Sequence, residues 1–297
     1  MIRIISLLFL IIVTQFGFTQ NHQAEFKSYF RTNDTINLVK VLLEWEKSNP
    51  KDAELYTSYF NYHVKMAKQE LISLTTQQPD GESLELKDSL NQTAGFMGSN
   101  SYYSEKELQK AFKKIDEGIS NFPNRLDMRF GKIYVLGLVE NWEDFTAEII
   151  KTVKYSATNN NEWTWTNNEK RKDGKDFFLS SLQNYQVQLY NTGNDDLLLN
   201  MRNIANEILT HYPDNIESLS NMSITYLLTG DYDKGIGALL KAEKIKPTDV
   251  IVLANIAQGY KLKGDKQKAI TYYQKVIAFG DEETKETAKK QIIELQN

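Results

Sequence analysis

Four of the chain's five prolines follow one pattern of small or apolar residues. Pro50, Pro123, Pro213 and Pro247 each have such residues five, eight and twelve positions upstream. These positions hold Trp45, Leu42 and Leu38; Gly118, Ile115 and Ala111; Ile208, Ala205 and Met201; and Ala242, Leu239 and Gly235. Because spacings of three and four residues place side chains on one helical face, the pattern predicts helices that bury the same stripe and end before a proline. Such recurrence is typical of a helical repeat protein.

The C-terminal third shows the period of this repeat. Pro213 and Pro247 lie 34 residues apart, and the segments that follow them correspond at the same offset. Leu219 corresponds to Leu253, and Tyr226 to Tyr260. The Gly-Asp pair at 230–231 recurs at 264–265. Glycine favours a left-handed helix C-cap and aspartate an N-cap, so each pair predicts a tight turn between two helices.

The 34-residue pattern resembles the tetratricopeptide repeat. In the first helix, the large, Leu-Gly and Tyr positions correspond to Leu219, Met222-Ser223 and Tyr226, then to Leu253, Ile256-Ala257 and Tyr260. In the second helix, the small, aromatic and small positions correspond to Gly235, Leu239 and Ala242, then to Ala269, Tyr273 and Val276. Asp281 occupies the position of the closing proline in the second copy. The resemblance implies an all-α, right-handed α-solenoid of antiparallel helix pairs. Its clearest repeats are residues 216–249 and 250–281, followed by a cap helix over 282–295.

The N-terminus predicts a secretory signal peptide over residues 1–19. Arg3 precedes an apolar run from Ile4 to Val13, and small residues follow at Gly17 and Thr19. The run is shorter than the roughly 18 apolar residues of a membrane span. Cleavage after Thr19 makes residues 20–297 the mature solenoid, cleavage after Gly17 is the second option, and an uncleaved anchor is the alternative. We therefore expect export to the periplasm, the cell surface or the medium, and no transmembrane span in the mature chain.

Composition argues against several function classes. The chain has no cysteine and a formal net charge of −4, so it offers no thiol nucleophile and no excess of basic residues for nucleic acid. Its three histidines, His22, His63 and His211, lie far apart, and no metal-ligand spacing or phosphate-binding glycine loop occurs. We therefore expect no enzymatic activity, no metal site and no cofactor.

Two segments interrupt the repeat. Residues 75–103 form an insertion much longer than a normal helix connection, and Ser83–Lys87 alternates as in a short strand. This insertion is either a loop that contributes to binding or a disordered excursion. In the second segment, Trp163 and Trp165 alternate among polar residues, so extended backbone would place both on one side. They either stack on a sugar or peptide, or fold back against neighbouring helices.

The resemblance also implies a groove, lined by the first helices, that binds a protein or peptide. Its inward positions are Glu217, Ser220, Asn221, Ile224 and Leu228 in one repeat, and Ile251, Ala254, Asn255, Gln258 and Lys261 in the next. Some tetratricopeptide domains clamp a C-terminal carboxylate with Asn, Lys and Arg on these helices. Asn221 and Asn255 match the Asn position, but Glu217, Ser220 and Ile251 replace the basic residues. We expect a non-catalytic binding or scaffolding module of the cell envelope. The alternative is a glycan- or nutrient-binding accessory protein that uses Trp163, Trp165 and the 75–103 insertion.

Overall fold

The computed structural model describes residues 16–79 and 82–296. Its helices are α1 Phe16–Thr32, α2 Thr35–Ser48, α3 Ala53–Ala67, α4 Glu105–Asn121, α5 Leu126–Leu138, α6 Trp142–Thr158, α7 Gly174–Asn191, α8 Leu198–His211, α9 Ile216–Leu228, α10 Tyr232–Ile245, α11 Val250–Lys263, α12 Lys266–Phe279 and α13 Glu282–Gln296. Its strands are β1 Lys68–Thr75, β2 Ser83–Lys87 and β3 Thr93–Tyr103, and two 3₁₀ turns cover Thr166–Asn168 and Asp195–Leu197. The predicted signal peptide lies outside the described residues, apart from its last four positions at the start of α1.

The helices that precede the four prolines have the predicted ends and the predicted buried stripe. They end at Ser48, Asn121, His211 and Ile245, in each case two residues before the proline. All twelve stripe positions are buried, and Leu38, Trp45, Ala111, Ala205, Leu239 and Ala242 have no measurable exposure. The proline stops the helix, and the stripe holds it against its neighbours.

The Gly-Asp pairs form the predicted turns. Gly230 and Gly264 adopt left-handed φ angles of 84° and 85°, which a residue with a Cβ adopts only with strain. The carboxylate of Asp265 then caps α12 by accepting a hydrogen bond from the backbone N–H of Lys268 at 3.1 Å. Each glycine therefore follows the end of the first helix of a pair. Asp231 holds the same N-cap position before α10, but its side chain makes no capping hydrogen bond there and instead accepts one of 2.9 Å from the Lys234 ammonium group.

The chain divides into two compact units. The first contains the described residues up to Met128 together with Trp165–Glu169, and the second contains Arg129–Thr164 and the residues from Lys170 onward. In the first unit, α1 packs on α2 and α3, and α3 packs on α4. Its core includes Phe26, Leu38, Leu42, Trp45 and Leu55.

The second unit contains the regular repeats. From α8 to α13 each helix packs against the next one in the chain. Successive cores are built in this way, one around Leu239 and Ile256 and the next around Leu253 and Tyr273. The fold class is therefore the predicted one, an all-α solenoid of antiparallel helix pairs, because each pair buries its apolar face only against its neighbours.

The insertion differs from the expected loop with one short strand. Helix α3 ends at Ala67, and residues 68–103 contain a three-stranded antiparallel sheet in the order β1-β3-β2. A hydrogen bond of 2.8 Å from the N–H of Ser104 to the carbonyl of Ala67 joins the two ends of the insertion. Residues 68–74 follow α3 without a proline or glycine, so no turn residue in the sequence marks the change from helix to strand.

Helices α9 and α10 pack closely at Gly235, so we expect a larger side chain at this position to lower the stability of the protein. A Cβ added there would lie 2.8 Å from Leu227 Cδ2 and 3.1 Å from the carbonyl oxygen of Ser223. Gly235→Leu should therefore lower the free energy of unfolding in urea by about 1–3 kcal/mol. Gly237→Leu on the same helix is the matched control, because a Cβ at Gly237 meets nothing within 4 Å. Equal stability of the two variants would contradict this packing.

Candidate functional site

The candidate site is a groove in the second unit, lined by the first helices α7, α9 and α11. The side-chain amide of Asn221 on α9 donates a hydrogen bond of 2.6 Å to the amide oxygen of Gln183 on α7. Helix α9 also contacts α11, and the 34-residue offset relates their positions. We call this surface the first-helix groove.

At one end of the first-helix groove, a cavity of about 360 Å³ lies between α7 and the start of α9. It is lined by Asp176, Leu179, Ser180, Gln183, Asn215 and Glu217. The carboxylate of Glu217 accepts a hydrogen bond of 2.9 Å from the Asn215 amide. Asp176 and Glu217 place negative charge at this cavity, and Leu179 gives it an apolar wall.

At the other end, the three helices present an apolar row. Tyr190 lies two helical turns beyond Gln183 on α7, and Leu228 lies two turns beyond Asn221 on α9. The 34-residue offset relates Leu228 to Leu262 on α11. These three side chains are 50%, 54% and 43% exposed. Large apolar side chains are exposed singly on many surfaces, but the sequence offsets place one such side chain at the corresponding position of each of the three first helices, which is the pattern expected of a contact strip.

Several polar residues predicted to face a ligand are already bonded within the protein. Asn221 is only 5% exposed and holds Gln183, so it ties α9 to α7. Gln258 accepts a hydrogen bond of 3.2 Å from the Tyr273 hydroxyl, whose pKa is raised by burial and by the charge of Glu294.

Lys261 is also engaged. Its ammonium group lies 2.6 Å from Gln291 and 3.1 Å from Glu294, both on α13. Asn221 therefore ties α9 to α7 and Lys261 ties α11 to α13, whereas the side chain of Gln258 is exposed. A role of these residues in ligand binding stays a prediction.

The remaining predicted groove residues share the same helical faces. Glu217 is exposed at the cavity, while Ser220, Ile224 and Asn255 are half-buried along the groove. Ile251 is exposed at the start of α11 and Ala254 is half-buried. Their assignment to a binding surface stays a prediction.

The repeat period does not predict that α7 contributes to the first-helix groove. Gln183 lies 38 residues before Asn221, four more than the repeat period, so the offset that relates α9 to α11 does not reach α7. The extra residues lie in the irregular connection between α7 and α8, which contains the 3₁₀ turn Asp195–Leu197. The alternation of apolar and polar residues from Phe177 to Tyr190 was the available signal.

The tryptophan pair does not form an exposed platform. Trp163 is 1% exposed and packs against Phe178 and Tyr155, with ring centroids 5.3 and 5.9 Å away. Trp165 is half-buried. Since a ligand needs an exposed ring face to stack on, the proposed recognition role of Trp163 is corrected to a role in the core.

Three further observations on the described residues concern metal binding, membrane spans and the histidines. Within residues 16–79 and 82–296, no three His, Cys, Asp or Glu side chains gather closely enough to bind a metal ion. No described helix has both the length and the apolar character that crossing a membrane requires. His63 lies 2.9 Å from Glu107, and His211 lies 3.1 Å from Glu207. Each of these two histidines is therefore paired with one glutamate.

Comparison with known proteins supports the repeat. Residues 251–279 match the tetratricopeptide repeat family, so the chain carries at least this repeat. No protein with curated function matches the sequence. Solved structures similar to this chain include MamA, at 15% identity over 63% of this chain and 93% of that one, with a TM-score of 0.39.

Two further solved structures are similar to this chain at comparable values. PilW, described as a type IV pilus biogenesis factor, has 12% identity over 93% of this chain and 99% of its own, with a TM-score of 0.40. YrrB, described as a tetratricopeptide protein with an unusual peptide-binding site, has 13% identity over 84% and 97%, with a TM-score of 0.41.

Proposed function

We propose that this chain is a non-catalytic module of the cell envelope that binds a protein or peptide partner in the first-helix groove. The observation that carries the proposal is the continuous surface of α7, α9 and α11, with a cavity at one end and the apolar row at the other. The Asn221–Gln183 bond fixes α9 to α7, and α9 also packs against α11, so the groove needs little ordering when a partner binds.

The chemistry of the groove indicates what its partner carries. Tyr190, Leu228 and Leu262 suit apolar side chains, which gain by leaving water. Asp176 and Glu217 suit a basic residue whose aliphatic stem contacts Leu179. The proposed partner segment is therefore amphipathic, with an apolar face and a basic end.

The envelope location belongs to the same proposal and rests on the sequence. Arg3 and the apolar run from Ile4 to Val13 favour export. N-terminal sequencing of the protein from its native host tests this part separately. A mature chain beginning near Gln20 supports it, whereas an intact Met1 on cytoplasmic protein contradicts it.

If the partner binds in the first-helix groove, charges introduced into the apolar row should lower the affinity for it. Leu228→Asp combined with Leu262→Asp should lower affinity for the partner by tenfold or more, because two charges would have to be buried in an apolar contact. Both side chains are substantially exposed, so the folded state should keep its stability. The wild-type chain is immobilised, its partner is captured from envelope extract and identified by mass spectrometry, and the affinity of each variant for that purified partner is measured.

Leu199→Asp is the matched control. Leu199 is 59% exposed on α8, a second helix of a pair, so it carries the same substitution away from the first helices. Loss of binding in the groove variant alone supports the proposal. Equal binding by both variants, with equal helical content in circular dichroism, would place recognition elsewhere on the chain.

A further inference from the structure

The small sheet of the first unit has an exposed apolar face. The register of the strands aligns Leu74 of β1, Met97 of β3 and Leu84 of β2 in one row. Ile72, two residues from Leu74, lies on the same face. Ile72 and Leu74 are 74% and 72% exposed. Apolar side chains gathered in this way mark a contact surface.

The two edges of the sheet differ in their protection. Strand β2 has five residues, a register irregularity between Leu86 and Lys87, and charges at Glu85 and Lys87. Short length, bulges and charges are the features that stop a strand edge from pairing with another chain. The edge formed by β2 is therefore closed to further pairing.

Strand β1 is longer and has no bulge, and it carries no charge after Glu70. It has eight residues paired in continuous register with β3, and among the described residues no strand pairs with its outer side. Its only charges, Lys68 and Glu70, lie near its start and form an ion pair of 3.2 Å with each other. The run Leu71–Thr75 is uncharged, and its outward-facing backbone groups can accept another strand.

The described residues that follow β1 do not cover this edge. Pro79 lies over the central strand, since a Cβ added to Gly98 of β3 would be 3.0 Å from its ring. The chain therefore turns inward between Thr75 and Pro79, across β3. Within the part of the chain that the structure describes, the outer edge of β1 is accessible.

We propose that a second copy of this chain pairs with β1 in antiparallel orientation, about a two-fold axis at Ser73. In this register Ile72 of each copy lies opposite Leu74 of the other, and Leu71 lies opposite Thr75. The run from 71 to 75 pairs wholly with itself, and no like charges face each other. Pairs of β-branched and aliphatic side chains across strands are stabilising.

The closed edge at β2 also favours a second copy as the occupant. A two-fold axis at Ser73 joins two sheets into one of six strands, whose outer edges are both β2. Because these edges carry charge and a bulge, growth stops at the dimer. Five paired residues per strand make a small interface, so the dimer should be weak and depend on protein concentration.

The first test uses the absence of cysteine from the chain. Ser73→Cys places two thiols opposite each other across the axis, at a separation that a disulfide can span. Ser99→Cys on the central strand β3 is the control, since Ser99 is exposed but lies one strand away from the edge. Under mild oxidation the Ser73→Cys variant should form a covalent dimer, and the Ser99→Cys variant should stay largely monomeric. Equal cross-linking of the two variants, or no cross-linking of the Ser73→Cys variant, overturns the proposal.

The second test addresses the register by sedimentation equilibrium. Ile72→Glu with Leu74→Glu sets like charges opposite each other twice across the axis and should weaken dimerisation about tenfold. Ile72→Lys with Leu74→Glu sets opposite charges in the same places and should restore dimerisation. Both positions are largely exposed, so both variants should fold. Equal weakening in the two variants contradicts the register, and a wild-type chain that stays monomeric at every concentration contradicts the dimer.

Discussion

Arg125→Met is expected to lower the free energy of unfolding by about 3–5 kcal/mol, because it leaves the buried carboxylate of Glu54 and the half-buried carboxylate of Asp127 without their cation. Arg125 is 1% exposed, and its Nη1 lies 2.7 Å from Glu54 Oε1. Its Nε and Nη2 donate to the two oxygens of Asp127, both at 2.8 Å. Burial alone lowers the pKa of the guanidinium, but Asp127 and then Glu54 outweigh it and raise that pKa, so the cation persists.

The same ion-pair cluster holds a segment distant in sequence. Glu54 Oε1 accepts a hydrogen bond of 2.8 Å from the backbone N–H of Asn167, and Arg125 Nη1 donates to Asn168 Oδ1 at 3.3 Å. Loss of Arg125 should therefore loosen residues 165–169 as well as lower global stability. Urea unfolding measures the stability, and limited proteolysis of the folded protein should show faster cleavage in this segment.

The matched control removes the stranded charges. Arg125→Met combined with Glu54→Gln and Asp127→Asn should recover much of the lost stability, because neutral amides are less costly to bury than unpaired carboxylates. Glu54→Gln also keeps an acceptor for the Asn167 N–H. A triple variant less stable than Arg125→Met would show that the individual hydrogen bonds, and not the unpaired charges, determine the loss.

The regular repeats could be predicted because their signals are local. A proline two residues after each of four helices, a buried stripe at three- and four-residue spacing and the two Gly-Asp turns each act within one helix pair. The repeats predicted over 216–249 and 250–281 contain α9 with α10 and α11 with α12. The cap helix, predicted over 282–295, extends over Glu282–Gln296.

The Arg125 cluster and the sheet could not be predicted in this way. Glu54, Arg125 and Asn168 are far apart in sequence, and nothing in their residue types separates a buried ion pair from solvated surface charge. Strand β1 follows α3 without a turn residue, and its apolar residues Leu71, Ile72 and Leu74 do not alternate with polar ones as in a half-buried strand; within the sheet, the alternation was visible at Ser83–Lys87, which is β2. Both features depend on tertiary contacts.

The candidate site was only partly predictable. The repeat frame places Glu217, Ile224 and Leu228 on the groove face, since the side-chain direction follows from helical period. It gives no indication that the Asn221 amide is bonded to Gln183, because that contact crosses the irregular interval of 38 residues. Hydrogen-bond partners of this kind decide whether a polar residue binds a ligand or holds the fold.

Trp163→Ala is expected to destabilise the second unit by about 3–5 kcal/mol, because it leaves a large cavity in a closely packed core. The indole contacts the rings of Phe178 and Tyr155, and the backbone carbonyl of Trp163 accepts a hydrogen bond of 3.0 Å from the N–H of Arg171. The substitution should therefore shift the urea midpoint without changing the helical content of the folded state. A loss below about 1 kcal/mol would contradict the core role.

The variant Trp163→Phe distinguishes a role of Trp163 in core packing from a role in partner recognition. Among the described residues the indole N–H of Trp163 has no hydrogen-bond partner, so Phe keeps aromatic contacts and loses no bond within the protein. Its cost should stay below about 1.5 kcal/mol. The Phe variant should also capture the groove partner as well as the wild type does, because the ring at 163 is buried. A stable Phe variant that fails to bind would instead make Trp163 part of the recognition surface, and would contradict both its assignment to the core and the binding proposal for the first-helix groove.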